Sequence, residues 1–229
     1  MVRAALIWLL ALATPAEACR LALVLALDVS SSVDMAEDQL QRQGLATALL
    51  APDVQAAFLA SPEPVALFAF EWSGSAHQQA ILPWTKIYTP ADLAAAAAKI
   101  STSNRSATRQ QTALGTALGY ALQQLQRGPA CMFQTIDVAG DGYSNSGLSP
   151  DVAYATLPFD GVIVNGLVID DGATDVRQYY LDRVRRGPGA FVEVANGFTD
   201  FAPTMERKLI RELTSQIIGR ASTVDRTRG

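Results

Sequence analysis

The stretch that decides the fold is Leu21-Ala-Leu-Val-Leu-Ala-Leu-Asp-Val-Ser-Ser-Ser32. Its first seven residues are apolar without alternation, which is typical of a strand buried on both faces of a parallel sheet. Asp28, Ser30 and Ser32 follow directly and offer a carboxylate and two hydroxyls. Because parallel α/β sheets keep their ligand sites beyond the carboxyl ends of the strands, this loop is a candidate binding site. The same residues, together with Asp34, could instead only cap the helix that follows.

Short apolar runs alternate with longer amphipathic ones along the rest of the chain, a pattern that predicts an α/β fold. Strands are expected at about 21–28, 65–70, 77–82, 132–139, 161–169 and 191–194. Helices are expected at about 35–50, 90–100, 112–126, 175–186 and 203–218, with a short one opened by Ser149. The connection from Glu71 to Ser75 is too short for a crossover helix, so the third strand should be antiparallel, lie at the sheet edge and end at Pro83. We therefore predict a Rossmann-like fold: a central six-stranded, mostly parallel sheet with one antiparallel edge strand and helices on both faces.

Two of the predicted helices carry local signals. Asp34 and Glu37 have capping-box spacing at the start of helix 35–50, and the apolar pattern places Leu40 and Leu45 on its buried face. Gly115 lies in helix 112–126, where a small residue allows the helix backbone to approach a neighbouring element closely. These signals predict how the two helices begin and pack.

The first eighteen residues read as a secretory signal. Arg3 is followed by an apolar run, and Ala16-Glu-Ala18 forms a small-x-small cleavage site. The apolar run is shorter than the roughly twenty residues that span a bilayer, and no later segment is long enough. Cleavage near Ala18 would make Cys19 the first residue and raises a lipoprotein alternative, but Ala16 stands where a lipoprotein signal normally has an aliphatic residue. We expect an exported protein, periplasmic or secreted.

Charge and size limit the classes of function. The chain has 22 acidic and 18 basic residues, a net charge of −4, and so has no electrostatic case for binding nucleic acid or anionic lipid. The rest of the chain has the size of one large α/β domain. We predict one domain over residues 19–219 and a flexible tail over residues 220–229, with no membrane span.

The two cysteines, Cys19 and Cys131, each stand beside an apolar strand-like run. If those strands are adjacent and parallel, both cysteines lie at the same end of the sheet. Export permits a disulfide, and the alternative is two buried free thiols.

Oxygen donors cluster in three segments at the predicted carboxyl edge. Asp28, Ser30 and Ser32 follow the first strand, Thr112 opens the helix 112–126, and Asp141 follows the fourth strand. Carboxylates and hydroxyls are hard ligands, and Mg²⁺ is usually held by only one or two carboxylates. A transition-metal site would need His or Cys, and the chain has only one histidine and two cysteines. The pattern therefore favours Mg²⁺.

Three motifs carry a family resemblance: Asp28-Val-Ser-Ser-Ser32, Thr112-Ala-Leu-Gly-Thr-Ala-Leu118 and Gly140-Asp-Gly142. Together they resemble the metal-ion-dependent adhesion site of von Willebrand factor type A (integrin I-like) domains, over residues 21 to about 218. More narrowly, Glu71-Trp-Ser-Gly74, the Gly-Asp-Gly motif and Gly187-Pro-Gly-Ala-Phe191 are similar to a group of exported bacterial proteins with this domain and no assigned role.

The resemblance implies a set of metal ligands and a mode of binding. Ser30, Ser32 and Thr112 would bind the ion through their hydroxyls, and Asp28 and Asp141 directly or through water. The sixth position would be open to an Asp or Glu of a protein partner. The ion would be Mg²⁺, with Mn²⁺ or Ca²⁺ as alternatives. Adhesion-type members often have a glycine before the threonine, where this chain has two glutamines, so Thr116 is the alternative ligand.

The leading functional hypothesis is an exported protein-interaction module of the adhesion type, not an enzyme. One alternative is a metal-dependent phosphohydrolase with Asp28 as nucleophile, although Ser30 stands where such enzymes need a second acid. Another is a structural subunit of an envelope complex with a degenerate metal site. A serine hydrolase would need a Gly-x-Ser-x-Gly elbow, which is not evident. His77, a lone histidine on the predicted edge strand, is expected to be exposed or structurally bonded, not catalytic.

Overall fold

The computed structural model describes residues 19–170, 172 and 175–226, and its strands build one six-stranded sheet. In chain order the strands are β1 (Cys19–Asp28), β2 (Val65–Trp72), β3 (Gln78–Ile87), β4 (Cys131–Gly140), β5 (Val162–Asp170) and β6 (Val192–Asn196). Across the sheet the order is β3-β2-β1-β4-β5-β6, with β3 antiparallel to β2 and all other neighbours parallel. The predicted sheet and its antiparallel edge strand are confirmed. The predicted signal segment lies outside the described residues.

Helices cover both faces of this sheet. They are α1 (Met35–Leu50), α2 (Pro52–Phe58), α3 (Pro90–Ser101), α4 (Leu114–Arg127), α5 (Pro150–Thr156), α6 (Val176–Tyr179) and α7 (Phe201–Arg226). Apolar side chains of α1, α2, α3 and α7 form one core with the sheet, and those of α4 and α6 form the other. The α/β class with helices on both faces is confirmed.

Strand β1 lies at the centre of the molecule, as its unbroken apolar run predicts. Every residue from Cys19 to Asp28 is buried. Its leucines contribute to one core, and Ala22, Val24 and Ala26 contribute to the other. Asp28 ends the strand and is therefore held at the carboxyl edge of the sheet by packing on both faces.

Helix α1 begins as the sequence predicts. The Asp34 side chain accepts hydrogen bonds from the backbone N–H groups of Ala36 and Glu37, and the Glu37 carboxylate accepts one from the Asp34 N–H. Leu45 is fully buried, but Leu40 is 40% exposed, so its assignment to the buried face was wrong. Capping is decided by neighbouring residues, whereas the buried face depends on what packs against the helix.

Three element ends differ from the sequence prediction. Strand β3 continues through Pro83 to Ile87, because the irregular β2–β3 register places the proline, which has no N–H, in an edge strand where it is tolerated. Helix α6 ends at Tyr179 and gives way to a π-helical turn, in which the Arg185 N–H donates to the Tyr180 carbonyl. Helix α7 extends to Arg226, beyond the predicted end, and includes residues assigned from the sequence to the tail.

The two cysteines form a disulfide at the amino end of the sheet. Cys19 and Cys131 are register partners on the adjacent parallel strands β1 and β4, with their Cα atoms 4.5 Å apart. The bridge thus lies at the end of these strands opposite to Asp28 and Asp141. The predicted pairing is confirmed.

A cluster of buried charges joins α7 to the sheet. Lys208 forms ion pairs with Asp137 on β4 and with Glu212 one turn further along α7, and at most 2% of each side chain is exposed. Asn165 on β5 donates to the Glu212 carboxylate at 3.2 Å and accepts from the Phe191 N–H at 2.9 Å. Burial, and then the charge of Asp137, raise the pKa of Glu212 well above its usual range. One buried lysine thus faces two buried acids, and this environment favours the protonated form of Glu212.

We expect Gly115→Ala to lower the free energy of unfolding by about 1–3 kcal/mol, since overpacking against backbone forces the elements apart. A Cβ at Gly115 would stand 2.3 Å from the Ser149 carbonyl oxygen and 2.4 Å from that of Leu148. Gly119→Ala on the same helix is the control, because its Cβ would meet only the end of the flexible Leu157 side chain at 3.0 Å. Chemical denaturation of both variants measures the difference, and equal effects would contradict the close approach.

Candidate metal centre

Three loops meet at the carboxyl edge of the sheet beside α1 and α4. Loop 1, residues 29–34, follows β1; loop 2, residues 102–113, precedes α4; loop 3, residues 141–149, follows β4. Because β1 and β4 are neighbours and parallel, Asp28 and Asp141 leave the sheet side by side. Thr112 is brought to them by loop 2.

The five residues that the sequence singled out are linked by direct hydrogen bonds. The Asp28 Oδ1 accepts from the Ser30 N–H at 2.7 Å, and the Thr112 Oγ1 donates to the Ser30 Oγ at 3.2 Å. The Ser30 and Ser32 hydroxyls are 3.2 Å apart, and the Ser32 Oγ donates to the Asp141 Oδ1 at 2.8 Å. Two carboxylates and three hydroxyls, which come from three separate loops, thus converge.

The electrostatics of this cluster favour a bound cation. Asp28 is fully buried, and its Oδ2 has no hydrogen-bond partner in the described part of the chain. Burial, and then the nearby charge of Asp141, raise the pKa of Asp28 to about 7, although the hydrogen bonds from Ser30 and the charge of Arg105 lower it. Two carboxylates that share a site repel each other unless a positive charge compensates them. The residues present fit a divalent cation.

The donor chemistry is that of a hard ion. All five side chains offer oxygen, which suits Mg²⁺, Mn²⁺ or Ca²⁺. In residues 19–170, 172 and 175–226 there is no group of three or more His, Cys, Asp or Glu side chains that could hold a metal. With two carboxylates only, the cluster depends on its hydroxyls.

The floor of the site requires a glycine at position 140. A Cβ there would lie 2.6 Å from the Tyr180 hydroxyl and 3.0 Å from the Asp28 Oδ2. Gly140 therefore lets a fully buried tyrosine and a fully buried carboxylate approach the end of β4 together. This contact explains the first glycine of the Gly-Asp-Gly motif.

Loop 3 holds Thr112 in place. The Thr112 N–H donates to the Asn145 side chain at 2.9 Å, and the Thr112 carbonyl accepts from the N–H groups of Asn145, at 2.9 Å, and Ser146, at 3.2 Å. Thr116, the alternative ligand, accepts instead from the Leu148 N–H at 3.0 Å. Thr112 therefore reaches the cluster without a preceding glycine, through a loop-3 amide that the sequence analysis did not single out.

Glu71 is a second residue whose role the sequence did not reveal. It reads as a turn residue, yet it is fully buried at the end of β2. Its carboxylate accepts from the Arg42 guanidinium on α1 and from the Ser106 N–H and hydroxyl on loop 2. Burial alone would raise the pKa of Glu71, but these bonds hold it below its usual range. Glu71 thus ties loop 2 to the sheet.

His77, Ser106 and Glu71 do not form a hydrolase triad. In a triad each imidazole nitrogen serves one partner. Here the same His77 Nε2 lies 3.2 Å from Glu71 and 3.1 Å from Ser106, and the Ser106 hydroxyl also donates directly to Glu71. The arrangement fixes the side chains and leaves no separate base for the hydroxyl.

The sheet order and the helices on both faces are those of the von Willebrand factor type A fold, so the predicted fold class and the resemblance in fold are confirmed. The chain belongs to the family described as "Protein of unknown function (DUF1194)", whose model matches residues 18–217. No curated protein matches the sequence.

Solved structures of this class resemble the chain over most of its length. Proximal thread matrix protein 1 from the mussel byssus, solved with zinc in its metal-ion-dependent adhesion site (MIDAS) motif, is 18% identical. It aligns with a TM-score of 0.63 over 86% of this chain and 48% of that one. The von Willebrand factor type A protein from Catenulispora acidiphila is 16% identical, with a TM-score of 0.58 over 85% of this chain and 43% of that one. The pilus adhesin SpaC from Lactobacillus rhamnosus GG is 15% identical, with a TM-score of 0.57 over 88% of this chain and 31% of that one. The chain spans half or less of each structure, and at these identities the likeness concerns the fold.

Proposed function

We propose that this protein is an exported, non-enzymatic interaction module that binds an acidic group of a partner protein through a divalent cation. Asp28, Ser30, Ser32, Thr112 and Asp141 would hold the ion, which would offer an open position to a carboxylate of the partner. The observation that carries the proposal is the hydrogen-bonded convergence of these five side chains around a buried Asp28 oxygen without a partner in the described chain.

The composition of the site explains why the partner group would be acidic. Three of the five proposed ligands are neutral hydroxyls, so this chain supplies only two negative charges. Two carboxylates only just balance a divalent cation, so, unlike a site with three or four acids, this one has no excess negative charge that would repel a further anionic oxygen ligand. Mg²⁺ is the proposed ion, with Mn²⁺ or Ca²⁺ as alternatives. Because zinc occupies the motif of the mussel protein, the affinity for Zn²⁺ should be measured beside that for Mg²⁺.

The phosphohydrolase alternative has less support. A nucleophile must reach its substrate, whereas Asp28 is fully buried and one of its oxygens is occupied by the Ser30 N–H. The structural neighbours are named as a thread matrix protein, a pilus adhesin and a minor pilin. They support an interaction role for this chain.

The disulfide supports export. Cys19–Cys131 fits an oxidising compartment. It also occupies the Cys19 sulfur, which a lipoprotein would need for its thioether-linked lipid. No helix within the described residues is long and apolar enough to cross a bilayer. We propose a periplasmic or secreted location after cleavage near Ala18.

Asp28→Ala should weaken Mg²⁺ binding at least about 100-fold, because it removes a proposed ligand at the centre of the cluster, and it should leave the fold intact. Isothermal titration of the protein without residues 1–18 measures the affinity, and far-UV circular dichroism checks the fold. Asp53→Ala, at an exposed position on α2, is the control and should bind as the wild type does. Unchanged affinity in Asp28→Ala would exclude Asp28 as a ligand.

The partner can be sought with the same proteins. The immobilised wild type is exposed to envelope extract with Mg²⁺ or with chelator, alongside Asp28→Ala. A protein retained only by the wild type with Mg²⁺ supports the interaction module. Retention that is indifferent to metal favours a structural subunit. Release of phosphate from a generic ester, lost in Asp28→Ala, favours the phosphohydrolase.

A further inference from the structure

We propose that Arg105 is the positioning residue of the metal centre: its guanidinium holds loop 1 in the ligating conformation before any ion binds. The inference rests on the proposed metal site. Arg105 belongs to loop 2 and is half-buried against loop 1. It would act on the backbone that carries Ser30 and Ser32, and so would not itself be a ligand.

All five N–H groups of the guanidinium are used. This group has five donors in a planar fork, and here each one can be assigned to a different backbone carbonyl. Nη2 donates to Val29 at 2.7 Å and Ser30 at 3.0 Å, Nη1 to Val33 at 2.6 Å and Asp34 at 3.1 Å, and Nε to Ala107 at 2.6 Å. Four of the five acceptors belong to loop 1, and the fifth belongs to the loop of Arg105 itself.

These bonds hold loop 1 both at its start and at its end. The carbonyls of Val29 and Ser30 lie at the start of the loop, and those of Val33 and Asp34 lie at its end. The path of the chain between them, which includes Ser32, is therefore spanned by one rigid planar group. Hydrogen bonds outside the coordination shell orient ligands and commonly change metal affinity 10- to 100-fold when removed.

Arg105 is itself anchored to the sheet. The next residue, Ser106, gives both its N–H and its hydroxyl to the buried carboxylate of Glu71, which also receives Arg42 from α1. Two further bonds join the loops: the Ser31 N–H donates to the Gln110 carbonyl at 2.8 Å, and the Thr112 hydroxyl donates to the Ser30 hydroxyl at 3.2 Å. Loop 1 is thus fixed relative to strand β2, through Arg105, Ser106 and Glu71.

The charge of Arg105 and its geometry predict opposite effects on metal binding. A positive charge close to Asp28 repels an incoming cation, so if charge alone mattered, Arg105→Met would bind Mg²⁺ more tightly. If the clamp matters, Arg105→Met binds Mg²⁺ more weakly, because loop 1 must be ordered at the time of binding. Arg105→Lys keeps the charge but offers a compact ammonium with three donors, which cannot span four loop-1 carbonyls.

The test compares Arg105→Met and Arg105→Lys with Arg109→Met, which removes an exposed arginine from the same loop that takes no part in these bonds. We expect Mg²⁺ affinity, measured by titration calorimetry, to fall about 10-fold or more in both Arg105 variants and to stay unchanged in Arg109→Met. We also expect faster amide hydrogen exchange in residues 28–35 of the Arg105 variants in chelator.

Unchanged or tighter Mg²⁺ binding in the Arg105 variants, or unchanged exchange of loop 1, would overturn the proposal. The exchange measurement uses the metal-free protein, so it tests the clamp even if the wild type fails to bind Mg²⁺, a result that would refute the proposed function instead. Arg105→Lys preserves a positive charge in the loop and keeps the comparison valid if Arg105→Met does not fold.

Discussion

Lys208→Met is expected to lower the free energy of unfolding by about 3–5 kcal/mol, the usual cost of removing one partner from a buried ion pair. Lys208 is the cation that compensates Asp137 and Glu212, and all three side chains are buried. Without it, the two buried acids have lost their common partner. The midpoint and slope of urea unfolding, with the disulfide intact, measure the loss.

Two further variants separate charge from packing at Lys208. Lys99→Met replaces an exposed lysine of α3 and should change the stability by less than about 0.5 kcal/mol. The triple variant Lys208→Met, Asp137→Asn, Glu212→Gln removes every charge of the cluster and should recover much of the loss, since neutral replacements of a buried ionic group are often tolerated. A Lys208→Met protein as stable as the wild type would contradict the ionic account.

In the presence of a chelator, ionisation of Asp28 is expected to cost the wild type about 4 kcal/mol of stability as the pH rises from about 4 to above 7. The pKa of Asp28 is about 7 in the folded chain and 3.8 in the reference state. Between these values the folded state holds a proton that the unfolded state has released, so stability falls with rising pH; each unit is worth about 1.4 kcal/mol. Urea unfolding across this pH range provides the curve.

Asp28→Asn isolates this effect. The amide cannot ionise, so the metal-free variant should be more stable than the metal-free wild type at pH 8, and the difference between them should vanish near pH 4. Glu71 has the opposite linkage, because its pKa is lowered on folding: its contribution is lost as the pH falls through the folded value, and it is common to both proteins. A constant difference between the two curves would mean that Asp28 does not titrate in this range.

The sequence was sufficient to predict the sheet and the convergence of the site. The unbroken apolar run before Asp28 required a strand buried on both faces, and β1 is that strand. Asp28 ends β1 and Asp141 directly follows β4, and the carboxyl ends of neighbouring parallel strands must share one edge. These inferences need only the strand pattern and the connection rules. Their binding of a metal ion stays a prediction.

The supporting contacts were beyond the sequence, because they join residues that are far apart in the chain. Arg105 reaches Val29 across 76 positions, and nothing in the polar stretch around it indicates that partner. Glu71 resembles a turn residue in the sequence, and only the structure shows its bonds to Arg42 and Ser106. The bulge at Pro83 and the π-helical turn after Tyr179 likewise answer to packing rather than to local propensity.

The disulfide has a mechanical consequence for any partner that binds at the opposite end of the sheet. Asp28 ends β1 and Asp141 directly follows β4, and the other ends of these two strands are joined covalently by Cys19 and Cys131. A pull applied through both carboxylates is shared between two parallel strands that cannot be peeled apart from their amino ends. Because both strands are pulled in the same direction, the load runs along them and shears their hydrogen bonds to the outer neighbours β2 and β5.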